Sequence, residues 1–191
     1  MGTRNVTVIR YNGEEKVRQY GQWDGYPTAA LASIVKFLKT EGAIEHLKRN
    51  LNKCKLISEE QFVYPEKFEY IANSIYRVVP NLFMMSLVER MEVCPKLFDV
   101  SYAEMFAYYL ATRDTGYDIP NILITTAADE AKEIILQEAY TNECDWQIEA
   151  VNIIYLDSNR ITSYWHNKKM TWDFSCLPDD EEIEKFEQEE E

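Results

Sequence analysis

Apolar and polar positions along the first twenty residues follow the short period of a strand. Residues 4–10 carry the β-branched run Val6, Thr7, Val8 and Ile9, and residues 15–20 mix polar and apolar side chains. Asn12-Gly13 lies between them, and Asn-Gly between two such runs predicts a β-hairpin. After a loop rich in glycine and proline, Thr28 is placed to cap a helix over residues 29–39. From Gly42 to about Asp99 the spacing is helical with interruptions. Ile44, Leu47 and Leu51 form one apolar stripe, and Phe68, Ile71, Ile75 and Val78 another, with Pro65, Pro80 and Pro95 as punctuation. Ser101 is placed to cap a helix over residues 102–111, and residues 117–125 predict a short helix.

The period shortens again near the end of the chain. Residues 146–156 are rich in Ile, Val and Tyr, and Asp157-Ser158-Asn159 separates them from the β-branched run 161–165. This predicts a second hairpin, with residues 169–174 as a further strand. A lone hairpin is marginal in water, so strands at both ends with helices between them predict an α+β fold. In it, one antiparallel sheet from the N-terminal and C-terminal hairpins carries the helical middle region packed on a face. With 191 residues, 46% of them hydrophobic, one α+β domain over residues 1–178 is expected.

Charge changes this picture at one place. The formal net charge is −13, and nine acids and one lysine between residues 179 and 191 account for −8 of it, leaving −5 for the body. Residues 179–191 are expected to be a disordered acidic tail, and Asp179, Asp180, Glu181 and Glu182 are candidate partner-binding residues. An acidic balance argues against direct nucleic-acid binding, which needs a basic surface to release counterions. It suits a partner with a basic surface. No apolar run is long enough for a membrane span, and the first residues lack a secretory leader, so a cytoplasmic location is expected.

Cys54, Cys94, Cys144 and Cys176 are scattered, and the two histidines, His46 and His166, are not at ligand spacing from them. No metal site and no cofactor are therefore expected. Neither a phosphate loop, nor a dinucleotide fingerprint, nor a nucleophile elbow is present, so the residues lean away from an enzyme and no catalytic residue is assigned.

The densest unusual cluster is Tyr20-Gly21-Gln22-Trp23-Asp24-Gly25-Tyr26-Pro27. Its glycines allow close backbone approach, its aromatics offer stacking faces, and Gln22 and Asp24 supply an amide and a carboxylate. Such a loop suits a planar or polar ligand. It equally suits a structural corner in which Trp23 plugs the core and Asp24 closes a turn. Trp165, His166 and Trp172 suit either an exposed aromatic patch or the core.

Thr3-Arg4-Asn5, the loop from Tyr20 to Pro27, Arg113-Asp114-Thr115-Gly116 with Asp118-Ile119, and the later Trp146 and Tyr155-Leu156-Asp157 together resemble a family of small uncharacterised proteins of bacteriophages and their hosts. The resemblance covers the first 40 residues and, in outline, residues 110–165. It implies a phage or prophage setting in a bacterial host cell and brings no reaction with it. The matching positions Arg4, Asn5, Gln22, Trp23, Asp24, Tyr26, Arg113 and Asp114 are candidate ligand-binding residues. Arg4 with Asp24, or Arg113 with Asp114, suits either a charge-assisted lock between loops or a grip on an anion.

The setting, the acidity and the missing catalytic motifs lead to the expectation of a non-enzymatic inhibitor. It would occlude a host protein or ribonucleoprotein with a basic surface, in the manner of an anti-CRISPR protein. The alternative is a small-ligand protein that binds or hydrolyses a nucleotide or similar anion. That alternative requires Arg4, Asn5, Asp24 and Arg113 to converge on one concavity.

Overall fold

A computed structural model describes residues 2–79, 82–112, 114–139 and 148–188. Strands β1 (Asn5–Tyr11) and β2 (Glu14–Gly21) form the predicted hairpin, with Asn12 at φ 56° and Gly13 at φ 74° in its turn. Helices α1 (Ala30–Lys39) and α2 (Ala43–Leu51) follow, then β3 (Cys54–Ile57). The helical middle comprises α3 (Phe68–Val78), α4 (Leu87–Leu97), α5 (Tyr102–Ala111), a 3-10 turn (Gly116–Asp118), α6 (Ile119–Ile122) and α7 (Thr126–Glu130). Strands β4 (Ile134–Gln137), β5 (Ala150–Tyr155), β6 (Arg160–Trp165) and β7 (Lys168–Asp173) lead to helix α8 (Asp180–Gln188).

The main sheet has the order β2-β1-β5-β6-β7. The expected α+β architecture holds: the N-terminal hairpin and the C-terminal strands make one sheet with the helices packed on it. The sheet is mixed, however, because β1 joins β5 in parallel, Asn5 opposite Ala150 and Arg10 opposite Tyr155. Every other pair in it is antiparallel. A second, two-stranded parallel sheet pairs β3 with β4, and sequence periodicity predicts neither strand.

On the helix-covered face, Ile9, Val17, Ile154, Ile161 and Trp172 lie opposite one another across the five strands and join the core with Leu31, Ile34 and Phe37 of α1. The neighbouring row on that face is polar: Gln19, Thr7, Asn152 and Ser163 are all buried. Gln19 turns this row into a fastening. Its Nε2 donates to the Gln137 carbonyl at 2.8 Å, and its Oε1 accepts from the Thr115 hydroxyl at 3.1 Å. The second sheet and the turn at residue 115 are thereby tied to β2.

Capping follows the expected pattern at α5, where Ser101 and Glu104 form a reciprocal capping box. It does not at α1. Thr28 is not the cap of that helix; its N–H and hydroxyl donate to Glu187 Oε2 of α8 at 2.9 and 2.7 Å. Pro95 lies inside α4 rather than ending it. The expectation of a disordered tail is also corrected over residues 180–188. Ile183 and Phe186 sit on one face of α8 and are buried, Trp172 Nε1 donates to Glu182 at 3.2 Å, and Trp165 Nε1 donates to the Glu187 carbonyl at 3.2 Å. Trp172 is thus core, and the late aromatics serve as a seat for α8.

Candidate functional site

The loop from Tyr20 to Pro27 is built around Asn5. That side chain is fully buried, and its Nδ2 donates to the carbonyls of Gly21 and Trp23 at 3.2 and 3.3 Å. The Gly25 N–H donates to the Thr3 carbonyl at 3.0 Å, closing the loop onto the chain before β1. Gly21 and Gly116 meet backbone to backbone beside Asn5. A Cβ on Gly21 would lie 2.7 Å from Asn5 Nδ2 and 3.0 Å from the Gly116 Cα, so neither strand nor turn has room for a side chain there.

A second set of contacts fastens the outer half. The Gln22 N–H donates to Asp114 Oδ1 at 2.9 Å, and the Tyr20 hydroxyl donates to Gln22 Oε1 at 2.5 Å. Partial desolvation holds the Asp114 carboxyl above its usual range, and the Gln22 N–H works against that rise. Asp24, at φ 52°, makes the turn and accepts from the Tyr26 hydroxyl at 2.8 Å. That bond and the Asp24 charge raise the Tyr26 pKa, with Glu187 contributing from farther away. Arg4 carries the joint to β5: its N–H donates to Glu149 Oε2 at 2.7 Å, and its carbonyl accepts from the N–H groups of Glu149 and Ala150.

Asn5, Gln22, Asp24 and Asp114 are therefore brought together, with Asn5 and the backbone of Arg4 spent on holding the corner. Trp23 does not plug the core; it is 64% exposed, with its ring laid against the backbone at Gly2. Tyr26 is exposed beside it. Arg113, Cys144 and Trp146 lie outside the described residues. Asp180, Glu181 and Glu182 are exposed on α8, while Asp179 Oδ1 accepts from the Glu182 N–H at 2.9 Å and caps that helix.

Three cavities open elsewhere. One, of about 450 Å³, runs between α1, the start of α4 and residues 118–125. A more apolar one of about 580 Å³ lies between α5, residues 57–65 and residues 130–135, and a third of about 640 Å³ lies between the start of α2 and the ends of β6 and β7. None is lined by Arg4, Asn5, Gln22, Trp23, Asp24, Tyr26 or Asp114. The concavity that the small-ligand alternative requires is not formed by these residues at any of the three.

Asp118 and Glu187 complete the region, and neither is among the candidate site residues that the sequence offers. Burial pushes the Asp118 carboxyl up to about 6, with Arg90 pulling weakly the other way, and raises the Tyr117 hydroxyl to about 12. The desolvation of Asp118 is a product of the packing around it. Among the described residues no group of three or more His, Cys, Asp or Glu side chains gathers in a way that would hold a metal ion. Cys54 is inert in character, its thiol pushed up to about 12 by burial. No helix among the described residues is long and apolar enough to cross a membrane. Comparison with protein-family models, with curated proteins and with solved structures found no match.

Proposed function

We propose that this protein is a non-enzymatic binding protein that occludes a basic surface on another macromolecule, as a phage-encoded inhibitor of a host defence complex such as a CRISPR nuclease. The observation that carries the reading is Trp23. The indole is 64% exposed, and it is held on a corner fastened by Asn5, Gly25 and Asp114. Large rigid aromatics of this kind are the usual anchors of protein interfaces, because little conformational entropy is lost when they are buried.

Its surroundings give the anchor a preferred partner. Asp24 and Tyr26 flank Trp23, and Glu187 reaches the same side through Thr28, bringing with it the exposed acids Asp180, Glu181 and Glu184 of α8. An aromatic anchor next to Asp24 complements lysine and arginine, by charge and by cation–π contact. A host protein or ribonucleoprotein with an exposed basic channel has that chemistry, and the resemblance to phage proteins supplies the setting.

The test is affinity capture from a bacterial host lysate at low and moderate salt, with the full chain and with Trp23→Ala. A stoichiometric protein or ribonucleoprotein partner is expected at low salt. Trp23→Ala should weaken its capture by roughly 30-fold, the effect of losing about 2 kcal/mol at an interface anchor. Capture indifferent to both salt and the substitution would remove the reading, as would retention of no macromolecule at either salt.

A further inference from the structure

The cavity of about 450 Å³ has the one carboxylate in this region with no local explanation. Asp118 is half-buried between α1 and α4, and among the described residues its carboxylate makes no hydrogen bond and no ion pair. Arg90 acts on it only at a distance, and its Nε donates to the Met85 carbonyl at 3.0 Å. Because Asp118 lines the cavity, its carboxylate is open to a ligand while most of its surroundings are protein. Its pKa of about 6 registers that desolvation.

The walls say what would relieve it. Glu92 puts a second carboxylate on the rim, so an anion is disfavoured. The Asn121 amide oxygen and the Thr125 hydroxyl offer further acceptors, and Phe37 and Ile124 offer apolar surface between them. We propose that this cavity binds an alkylguanidinium or alkylammonium group, with Asp118 as its counter-ion. The cation's N–H donors satisfy Asp118 and the neutral acceptors, and its alkyl stem covers the apolar wall. Lys36 lines the same cavity as the competing charge. The group is either a free small cation or a side chain of a macromolecular partner, and this site stands independently of the Trp23 corner.

The experiment is a titration of the full chain, followed by amide NMR, with butylguanidinium, N-acetyl-arginine methylamide and, as the anionic control, butyrate. Saturable shifts at Asn121 and Thr125 are expected for the two cations at millimolar concentration, and none for butyrate. Asp118→Asn should weaken binding at least about 10-fold, and Lys36→Gln should tighten it roughly 2- to 5-fold by removing a like charge. Binding should also weaken from pH 7.5 to pH 5 as Asp118 takes up a proton. Glu92, Arg90, Lys36 and Tyr117 are the other titratable groups around it, and Glu92→Gln should leave that pH dependence in place. Tighter binding of the arginine amide assigns the site to a partner's side chain, and tighter binding of butylguanidinium to a free cation. No saturation by about 50 mM, the upper range for fragments of this size, or binding unchanged in Asp118→Asn with its fold intact by NMR, overturns the proposal.

Discussion

At the scale of single residues, two aspartates give opposite dependences of stability on pH. Asp118 has its folded-state pKa raised to about 6 by burial, so it costs nothing below the ordinary carboxylate range, becomes destabilising as pH rises from there, and exerts its full cost above about 6. Above it the cost is on the order of 2–3 kcal/mol, from the distance between that value and the ordinary carboxylate range. Asp118→Asn is therefore expected to unfold at higher urea than the natural chain at pH 7.5, with the difference gone by about pH 4. Asp129 runs the other way. Burial works to raise its pKa, but hydrogen bonds from Asn50 and His46 at 2.8 and 2.6 Å, with the charges of His46 and Lys53, hold it below the usual range. Its contribution is present at neutral pH and fades as pH falls through the folded-state value, so Asp129→Asn should lower the urea midpoint at pH 7 and converge with the natural chain in acid. A single urea series across pH, with both variants, checks the two signs together. The glycines at the corner belong to the same scale. Gly21→Ala should cost about 1–3 kcal/mol, the penalty for overpacking, because backbone and Asn5 occupy the place of its Cβ. The loop's identity as a corner was open in the sequence because Asn5 and Gly116 are remote from it in number, and only the fold brings them to Gly21.

At the scale of elements, the charge count concealed α8. Nine acids in thirteen residues predict disorder, yet Ile183 and Phe186 stand three apart, which puts them on one face of a helix. That face has value only because Trp165 and Trp172 of the last two strands form a seat for it, a tertiary fact with no local signal. A chain ending at Pro178 is expected to lose about 3–6 kcal/mol, the value of two buried side chains of this size. Its tryptophan emission should shift to the red as Trp165 and Trp172 meet water, and its melting temperature should fall. An unchanged melt would mean that the helix contributes nothing by docking. The same contrast explains the strands. The hairpins at both ends were legible because their turns, Asn12-Gly13 and Asp157-Ser158-Asn159, are local chemistry. Strands β3 and β4 were not, since each is four residues long and its partner is distant, Cys54 pairing with Ile134. The parallel joint of β1 to β5 was hidden for the same reason, and it turned an expected antiparallel sheet into a mixed one.

At the scale of the whole molecule, the net charge of −13 matters through where it lies relative to Trp23. Docking of α8 by Ile183, Phe186 and the Thr28–Glu187 bonds ties the acidic helix to the chain just after the aromatic corner, so under the proposed function charge and anchor would act on one partner. The two then act on different steps. Carboxylates on an exposed helix steer encounter over a distance limited by salt screening, of about 10 Å at 0.1 M, whereas an indole contributes only after contact. With a partner recovered by capture, neutralising Asp180, Glu181 and Glu184 together should lower the association rate by roughly tenfold at low salt and have little effect at high salt. Trp23→Ala should leave association nearly unchanged and raise the dissociation rate. Stopped-flow binding at two ionic strengths separates these effects. If the triple neutralisation acts on dissociation instead, the acids of α8 are themselves buried contacts, and the occluded surface extends across α8 rather than centring on Trp23.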